Sequence, residues 1–300
     1  MHAEADVRRA AKNSKKLIPD PGVVEELCLK AVSRLPQDVR QALAAAEERE
    51  KDAVARRTLG LILENARLAA ERGRPLCQDT GLAVVFVELG QEVCLAGDLV
   101  QAVNEGVRRA YVNGRLRRSV VGDPLIRENT GDNTPAILHV ELVPGDAVKL
   151  TVAPKGIGSE NMSRLAMLKP ADGREGVIRF VLETVVQAGP NACPPLVVGV
   201  GLGGTMERAA YLAKKALLRR LDEPNPKPHL RELEAELLRR VNDLGIGPEG
   251  LGGRTTALGV SVEAFPTHIG GLPVAVNLQC HAARHAAAVW RPGRGWEVEA

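Results

Sequence analysis

The sequence predicts a mixed α/β (α+β) fold, with an N-terminal helical segment followed by a mixed sheet with helices. Residues 20–73 place apolar residues at helical spacing, whereas residues 74–288 alternate short apolar runs with segments of helical pattern. No long linker divides the chain, because the Pro-rich stretch at 221–229 is only long enough to separate two helices. We therefore expect residues 1–300 to form a single domain.

The first part of the chain shows the helical pattern most clearly. Pro36 suits the start of a helix. Proline has no backbone N–H, and the first residues of a helix have no intrahelical acceptor for one. The apolar residues that recur among Glu and Arg are Leu27, Val32, Leu35, Val39, Leu43, Val54, Leu59, Leu63 and Leu68.

After Gly73 the pattern changes to alternating strands and helices. The expected strands are the short apolar runs at 83–89, 136–143, 147–152, 195–200, 258–264 and 274–278. The expected helices lie at about 98–112, 173–188, 205–220 and 229–243. This arrangement is typical of an α/β or α+β body.

Composition excludes several classes of protein. Hydrophobic residues make up 45% and charged residues 26%, which argues against disorder. The net charge of +3 is spread along the chain and only 2% of residues are aromatic, so a nucleic-acid surface is not indicated. The charged N-terminal stretch lacks the apolar core of a signal peptide, and no apolar run reaches the length of a membrane span. We therefore expect a cytoplasmic protein.

Polar, glycine-rich loops interrupt the body of the chain. Loops that combine so much Gly with Cys, Asp, Lys, His and Arg suit a functional site better than they suit packing. They are PLCQDTG (75–81), RLRRS (115–119), APKGIGSENMS (153–163), ACPPLVVGVGLGGT (192–205), GPEGLGGRTT (247–256) and FPTHIGGLPVAVNLQCHAARH (265–285).

One of these loops satisfies a nucleotide-binding pattern. Gly199, Gly201 and Gly204 form G-x-G-x-x-G between a predicted strand and a predicted helix. A dinucleotide site also needs a second strand that ends in an acid about 20 residues later, but Asp222 opens a Pro-rich loop. Nicotinamide binding is therefore the less favoured interpretation, although such a turn can also hold a carboxylate.

The five cysteines are far apart and form no CxxC pair, so structural disulfides are not expected. Cys28 and Cys94 fit the pattern of small buried hydrophobic residues. Cys77, Cys193 and Cys280 each stand at a polar or Pro-flanked loop edge, where thiolates can converge on iron. Their separations carry no ligand signature, so burial and ligation both stay open.

Charged loop residues also allow two interpretations each. An aspartate beside a possible ligand is either a turn cap or an acid, and an arginine is either solvated or a fork for a carboxylate. A loop histidine either forms a local hydrogen bond or transfers protons, and a loop lysine is most simply a surface residue. The residues concerned are Asp79, Arg117, Arg118, Lys155, His268 and His281.

Taken together, the motifs resemble the class I fumarase family, in the same order along the chain. They are CQDTG (77–81), LR (116–117), KGIGS (155–159), CPP (193–195), GVGLGGT (199–205), PTH (266–268) and NLQCHAAR (277–284). The resemblance covers about residues 20–288, and several motifs in one order are far more specific than any single motif. The chain looks like the alpha subunit of the two-subunit form of fumarate hydratase and L(+)-tartrate dehydratase.

The resemblance implies a 4Fe–4S cluster. Its three thiolate ligands would be Cys77, Cys193 and Cys280, which leaves one iron without a protein ligand. An open coordination position suits a Lewis acid that binds the hydroxyl and carboxylate of a substrate.

The resemblance also implies roles around a dicarboxylate substrate. Asp79 would be the acid that protonates the departing hydroxyl, and His268 is the second catalytic candidate. The residues expected to bind substrate are Gln78, Arg117 and Gly158. Ile157 stands where the long fumarases have a glycine, so the contact of this loop stays open.

A partner chain is expected as well. The sequence contains no equivalent of the family's C-terminal Arg, Lys and Thr motifs. We therefore expect a beta subunit to supply the base for the C–H proton and further substrate-binding groups, in an α2β2-type oligomer.

The resulting hypothesis is the alpha subunit of a fumarate hydratase of the tricarboxylic acid cycle, which interconverts (S)-malate and fumarate. The alternative within the family is L(+)-tartrate dehydratase, which gives oxaloacetate. Two more distant alternatives are a non-enzymatic iron–sulfur sensor and a dinucleotide-binding oxidoreductase. Neither of these accounts for CQDTG, KGIGS and PTH together.

Overall fold

A computed structural model describes residues 15–299 of the chain. Its strands are β1 (Lys15–Leu17), β2 (Leu82–Gly90), β3 (Val93–Leu95), β4 (Ile137–Val143), β5 (Val148–Lys155), β6 (Arg164–Leu168), β7 (Leu196–Gly203), β8 (Ala257–Phe265), β9 (Leu272–Gln279), β10 (Ala286–Arg291) and β11 (Gly295–Val298). Its α-helices are α1 (Pro21–Ser33), α2 (Gln37–Arg49), α3 (Ala53–Arg72), α4 (Leu99–Asn113), α5 (Ile157–Asn161), α6 (Gly173–Ala188), α7 (Met206–Ala216) and α8 (Pro228–Asn242). The signal-peptide prediction concerns mainly residues 1–14, which lie outside the described residues.

The mixed α/β fold predicted from the sequence is confirmed. Each apolar run that was assigned to a strand forms one, and the N-terminal helical segment forms α1, α2 and α3. Helix α2 begins directly after Pro36. The sequence pattern missed the short strands β1, β3, β6 and β11. It also missed β10, because the AAAVWR sequence of that strand is rich in alanine, which has low strand propensity. Pairing with β5 makes it a strand.

Local signals explain where two of the long helices begin. Asp52 caps α3, since its Oδ1 accepts the backbone N–H of Ala55 at 2.9 Å. Asp98 caps α4 in the same way and accepts the N–H of Gln101 at 2.9 Å. Gly73 ends α3 with a φ of 58°, a conformation that glycine adopts without steric cost.

The chain forms two compact units that interleave along the sequence. Unit 1 comprises the described residues up to Ser33, Cys77–Lys155 and the described residues from Arg284 onward. Unit 2 comprises Arg34–Leu76 and Gly156–Ala283. The prediction of a single domain stays a prediction.

A five-stranded mixed sheet in the order β11–β10–β5–β2–β4 organises unit 1. Helix α1 packs against β5 and β10, and α4 packs against α1. The two helices approach closely at Gly106, where an added Cβ would lie 2.5 Å from the Pro21 carbonyl oxygen. Strand β2, inside this sheet, begins directly after the CQDTG motif. The sheet therefore fixes the exit of that loop.

A four-stranded mixed sheet in the order β6–β9–β7–β8 organises unit 2. Strands β7 and β8 run parallel, whereas β9 runs antiparallel to β7 and to β6. Helix α7 packs on β7 and β9, α8 packs on β8, and α6 contacts α8. Aliphatic residues fill this core, including Val198, Leu237 and Leu278, none of which is exposed.

Among residues 15–299, the α-helices are all too short or too polar to cross a membrane.

Candidate functional site

Cys193 and Cys280 lie at the same end of two neighbouring strands in unit 2. Strand β7 begins at Leu196 and β9 ends at Gln279, and the antiparallel register pairs Val197 with Gln279. The segments before β7 and after β9 therefore leave the sheet at one edge, where the His281 N–H donates to the Cys193 carbonyl oxygen at 3.1 Å. Both cysteines are partly exposed. The fold thus brings together two residues that are 87 positions apart in the sequence.

Cys193 has an unusual backbone conformation. It follows the 3-10 helix Gly189–Ala192 and has a φ of 52°, in the left-handed region that L-residues rarely adopt. Such strain persists only where the surrounding contacts over-determine it, and it often marks a functional position.

Cys280 packs partly against a small apolar cluster in unit 2, which contains Ala66, Ala69 and Leu76. Leu76 is also the residue that precedes Cys77 in the chain. Cys77 itself belongs to unit 1 and is partly exposed. Its Sγ lies 3.5 Å from Oε1 of Gln78, whose side chain is exposed.

The CQDTG loop in unit 1 turns tightly into β2. The backbone N–H of Gly81 donates to Oδ1 of Asp79 at 3.0 Å, so Asp79 does have the turn-capping contact that its sequence position allowed. Gly81 has a φ of 81°, and an added Cβ would lie 2.9 Å from the Lys155 backbone. Only glycine fits this position.

Three buried side chains hold the backbone of this loop. The Tyr111 hydroxyl donates to the carbonyl oxygens of Thr80 and Gly81 at 2.9 and 3.0 Å. Asn133 Nδ2 donates to the Gly81 carbonyl at 3.2 Å, and an Arg284 Nη donates to the Asp79 carbonyl. The loop backbone is therefore fixed by buried donors, while the Asp79 side chain stays partly exposed.

Sequence reasoning did not assign these three anchors. Tyr111 is fully buried, and burial raises its pKa well above the ordinary value, so the hydroxyl stays protonated and donates. Arg284 is part of the NLQCHAAR motif, which was a usable signal, and Tyr111 is one of two tyrosines. Asn133 has a φ of 65° and gave no local signal. Its role depends on contacts between segments that are distant in the sequence.

Arg117 and Arg118 differ in what their side chains do. The Arg117 carbonyl accepts the Thr80 hydroxyl at 2.9 Å, which ties this segment to the CQDTG loop within unit 1. Arg118 Nη1 donates to the Gly131 carbonyl at 2.8 Å. In the described part of the chain, the exposed Arg117 guanidinium makes no hydrogen bond or ion pair. Arg117 is thus the better candidate for an anionic ligand.

His268 lies in an exposed loop between β8 and β9. The Gly270 N–H donates to its Nδ1 at 3.0 Å, and the Gly271 N–H donates to its carbonyl oxygen at 3.0 Å. Because Nδ1 accepts this bond, the neutral imidazole carries its proton on Nε2. Nε2 of the neutral His268 ring is therefore a hydrogen-bond donor.

The KGIGS segment spans the change from β5 to the short helix α5. Gly158 is exposed, and an added Cβ would meet only the Asn191 carbonyl at 3.6 Å, an ordinary contact. Packing therefore does not require a glycine there. Ile157 is 56% exposed, whereas Lys155 is buried with 7% of its surface accessible. The interpretation of Lys155 as a surface lysine is wrong, because it is the last residue of a strand inside the sheet of unit 1.

The two remaining cysteines differ from each other. Cys28 is fully buried in α1, and burial together with the nearby Glu25 raises the pKa of its thiol to about 12. A thiol that stays protonated is a poor metal ligand. The expected burial of Cys94 is wrong: it is exposed, because the three-residue strand β3 alternates its side chains and turns this one outward.

The glycines of GVGLGGT serve helix packing. A Cβ on Gly199 would lie 2.1 Å from the Ala213 carbonyl oxygen, and one on Gly201 would lie 2.0 Å from that of Ala209. These absent side chains let α7 lie directly on β7. The first turn of α7 carries Glu207, whose carboxylate accepts the Thr205 hydroxyl and disfavours a second anion there.

The described His, Cys, Asp and Glu side chains do not form a site for a single metal ion. Within residues 15–299, no three His, Cys, Asp or Glu side chains are grouped as ligands of one metal ion. A cluster differs from a single ion, because each thiolate binds a different iron atom. The partial exposure of Cys77, Cys193 and Cys280, and the absence of disulfides among the described cysteines, fit thiolate donors of that kind.

A family model described as fumarate hydratase (Fumerase) matches residues 22–289, so the protein is an enzyme of the hydro-lyase class. The chain belongs to the fumarate hydratase (Fumerase) family, as the ordered motifs predicted.

Three similar proteins carry the name of a related activity. The chain is 44% identical to the "Putative L(+)-tartrate dehydratase subunit alpha" of Methanocaldococcus jannaschii, over 88% of this chain and 95% of that protein. It is 34% identical to the L(+)-tartrate dehydratase subunit alpha of Escherichia coli (strain K12), over 84% of each chain. The protein of the same name from Shigella boydii serotype 4 (strain Sb227) matches to the same extent, 34% over 84% of each chain.

Proposed function

We propose that this chain is the alpha subunit of an iron–sulfur hydro-lyase that interconverts (S)-malate with fumarate and water. The observation that carries the proposal is the CQDTG loop, whose backbone is held by buried Tyr111 and Arg284 while Asp79 stays partly exposed. A reacting carboxyl group on a fixed backbone is what a positioned acid needs. Membership of the fumarate hydratase family supports the reaction class.

Cys77, Cys193 and Cys280 are the proposed ligands of a 4Fe–4S cluster. When bound, such a cluster with one open iron supplies a Lewis acid for the substrate's hydroxyl and carboxylate. The chain contributes thiolates at loop edges that are partly exposed. Cys28 is unsuitable because its thiol is buried and stays protonated near neutral pH.

Asp79 is the proposed acid in the direction of dehydration. The C–O bond of malate breaks, its oxygen takes the proton of the Asp79 carboxyl group, and water leaves. The neighbouring C–H proton passes to a base at the same time or in a separate step. Arg284 supports this role, because it holds the Asp79 backbone by the carbonyl oxygen.

Arg117, Gln78 and Gly158 are the proposed substrate-binding residues. The exposed guanidinium of Arg117 matches the geometry of a carboxylate, which it can bind with two parallel hydrogen bonds. Exposed Gln78 provides an amide donor, and exposed Gly158 allows close approach to the backbone.

His268 is proposed to bind substrate and to act in catalysis through Nε2. Its Nδ1 accepts the Gly270 N–H, so the other ring nitrogen is a donor in the neutral form. A donor can hold a carboxylate or a hydroxyl of the substrate. This geometry favours hydrogen bonding by His268 over abstraction of the C–H proton.

A beta subunit is proposed as the obligate partner, in an α2β2-type assembly in the cytoplasm. The relatives described above are named as alpha subunits, which supports a second chain. A dianionic substrate calls for more than one cation, and the elimination calls for a base that the proposed residues of this chain do not include. The beta subunit would supply both.

L(+)-tartrate is the second candidate substrate. The similar proteins are named L(+)-tartrate dehydratase subunit alpha, whereas the family model is named for fumarate hydratase. Malate and tartrate are both four-carbon hydroxy dicarboxylates that differ by one hydroxyl group. The proposed residues suit the features that the two substrates share.

The test is an anaerobic assay of this chain with and without its beta subunit. The chain alone should carry about four irons and show negligible turnover, and titration with the beta subunit should restore activity to saturation. Rates with (S)-malate and L-tartrate then decide between the two substrates. Full activity of the chain alone would contradict the two-subunit proposal, and turnover of neither substrate by the mixture would contradict the proposed reaction.

A further inference from the structure

Glu249 stands out in the loop that precedes β8. This loop turns through glycines of positive φ at positions 245, 247, 250, 252 and 253. Glu249 also has a positive φ, 53°, but it carries a side chain. Glycine would adopt this conformation without strain, so the retained side chain points to a use for the carboxylate.

The contacts of Glu249 reach both cysteine segments of unit 2. Its backbone N–H donates to the Pro194 carbonyl at 2.8 Å, directly after Cys193. Its Oε1 lies 3.0 Å from Nε2 of His281, directly after Cys280. The His281 N–H in turn donates to the Cys193 carbonyl at 3.1 Å. Glu249 thus bonds to the Cys193 segment through its backbone, and its carboxylate lies against the residue that follows Cys280.

The loop that carries Glu249 is itself held firmly. The buried carboxylate of Glu50, at the end of α2, accepts the N–H of Arg254 at 2.9 Å. An added Cβ on Gly250 would lie 2.5 Å from Cβ of Pro190, so the loop also packs closely on the segment that leads to Cys193. A firmly held loop can fix the positions of the residues that it contacts.

We infer that Glu249 is a positioning residue that holds Cys193 and Cys280 in a fixed mutual arrangement. The inference rests on the proposed function, in which the two cysteines bind one iron–sulfur cluster as thiolates and must therefore keep a fixed separation. Supporting residues around metal ligands orient those ligands, and their loss commonly weakens metal binding by about 10- to 100-fold.

The first test uses the full cluster-free chain and does not depend on a cluster. Alkylation by iodoacetamide at each cysteine is followed by mass spectrometry in the wild type, Glu249→Gly and Glu249→Gln. Glu249→Gly keeps the backbone N–H bond to Pro194 but removes the carboxylate beside His281. Because the His281 N–H bonds to the Cys193 carbonyl, this loss should raise the rates at both Cys280 and Cys193 severalfold. Glu249→Gln keeps the backbone contact and a polar group opposite His281, so it should retain most of the protection.

Internal references separate positioning from general loosening. Cys77 lies in unit 1 and should keep its wild-type rate, Cys94 is exposed and reports reagent activity, and buried Cys28 should stay unreactive. The thermal midpoint of Glu249→Gly should not fall, since glycine relieves the backbone strain. Equal acceleration at Cys77, or unchanged rates at Cys193 and Cys280, would overturn the inference.

The second test uses anaerobically loaded chain exposed to a chelator. Loss of the broad visible absorbance should be about 10- to 100-fold faster in Glu249→Gly than in the wild type. The matched control is Glu232→Gln, an exposed glutamate on α8. If Glu249→Gly does not fold, His281→Ala removes the other end of the contact and should show the same two effects, and its failure to do so would refute the positioning role. A wild type without iron would instead refute the proposed function and leave the alkylation result intact.

Discussion

The CQDTG loop of unit 1 and the His268 loop of unit 2 are held in different ways. Buried side chains from distant parts of the chain donate to the carbonyls of the first loop, among them Tyr111 and Arg284. The second loop closes on itself through the Gly270 N–H bond to His268, and the Thr267 hydroxyl donates to the Gly204 carbonyl. Ile269 beside it is 92% exposed.

This difference suggests a different behaviour for each loop. A backbone anchored by buried donors holds a reacting group in place before substrate arrives. A loop that is held by a few solvent-exposed hydrogen bonds opens at lower cost. The proposed acid, Asp79, therefore lies on the rigid loop, and His268 lies on the more adaptable one.

The largest expected effect concerns the proposed cluster ligands. Replacement of Cys77, Cys193 or Cys280 by Ser should abolish the visible absorbance and the iron content, because each loss leaves an iron without its thiolate. Cys28→Ser and Cys94→Ser are the matched controls and should keep both. A cluster that survives Cys193→Ser would contradict the assignment.

The next effect concerns Asp79, the proposed acid on the rigid loop. Asp79→Asn should keep the cluster and lower kcat of the mixture with the beta subunit by about 100- to 10,000-fold, since an amide has no proton to give. Asp146→Asn, also in unit 1, is the control and should leave kcat unchanged. Wild-type turnover in Asp79→Asn would show that Asp79 is only a turn-capping residue.

A matched pair of hydroxyl deletions tests the comparison directly. Tyr111→Phe leaves the buried carbonyls of Thr80 and Gly81 without this donor, which should cost about 1–3 kcal/mol of unfolding free energy. Thr267→Val removes an exposed hydroxyl and should change the stability by less than about 0.5 kcal/mol. Urea denaturation measures both, and equal losses would show that the two loops are held alike.

The smallest effect concerns the acid dependence of unit 2. Burial tends to raise the pKa of Glu50, but N–H donors from Arg254, Asp52 and Lys51 outweigh it, so its pKa lies below the ordinary value of 4.5. A lowered folded pKa means that the stabilisation is present above pH 4.5 and is lost as the pH falls through the folded value. Glu50→Gln should flatten the loss of stability in acid, measured by urea midpoints from pH 7 to pH 3.

The control for this pH effect is the exposed neighbour Glu48. Glu48→Gln should keep the wild-type acid limb, because an exposed side chain has no comparable set of backbone donors. Identical acid limbs for the wild type and Glu50→Gln would show that other groups determine the acid dependence.

The sequence predicted much of the fold and part of the candidate site. Apolar periodicity located the strands from β2 to β9 that carry long aliphatic runs, and it located the helices of the N-terminal segment. It missed β10, whose alanines become a strand only through pairing with β5. It also predicted that Cys94 is buried and that Lys155 is exposed, and both predictions are wrong. Local hydrophobicity does not show which face of a strand is covered.

The sequence by itself determined the family, since several motifs in a fixed order are a property of the chain alone. It also determined the residues proposed for chemistry. Only the tertiary structure decided what holds them: Tyr111 and Asn133 beneath the CQDTG loop, and Glu249 between the segments of Cys193 and Cys280. The physical reason is that hydrogen bonds act over about 3 Å in space, whereas these partners lie tens of residues apart in the sequence.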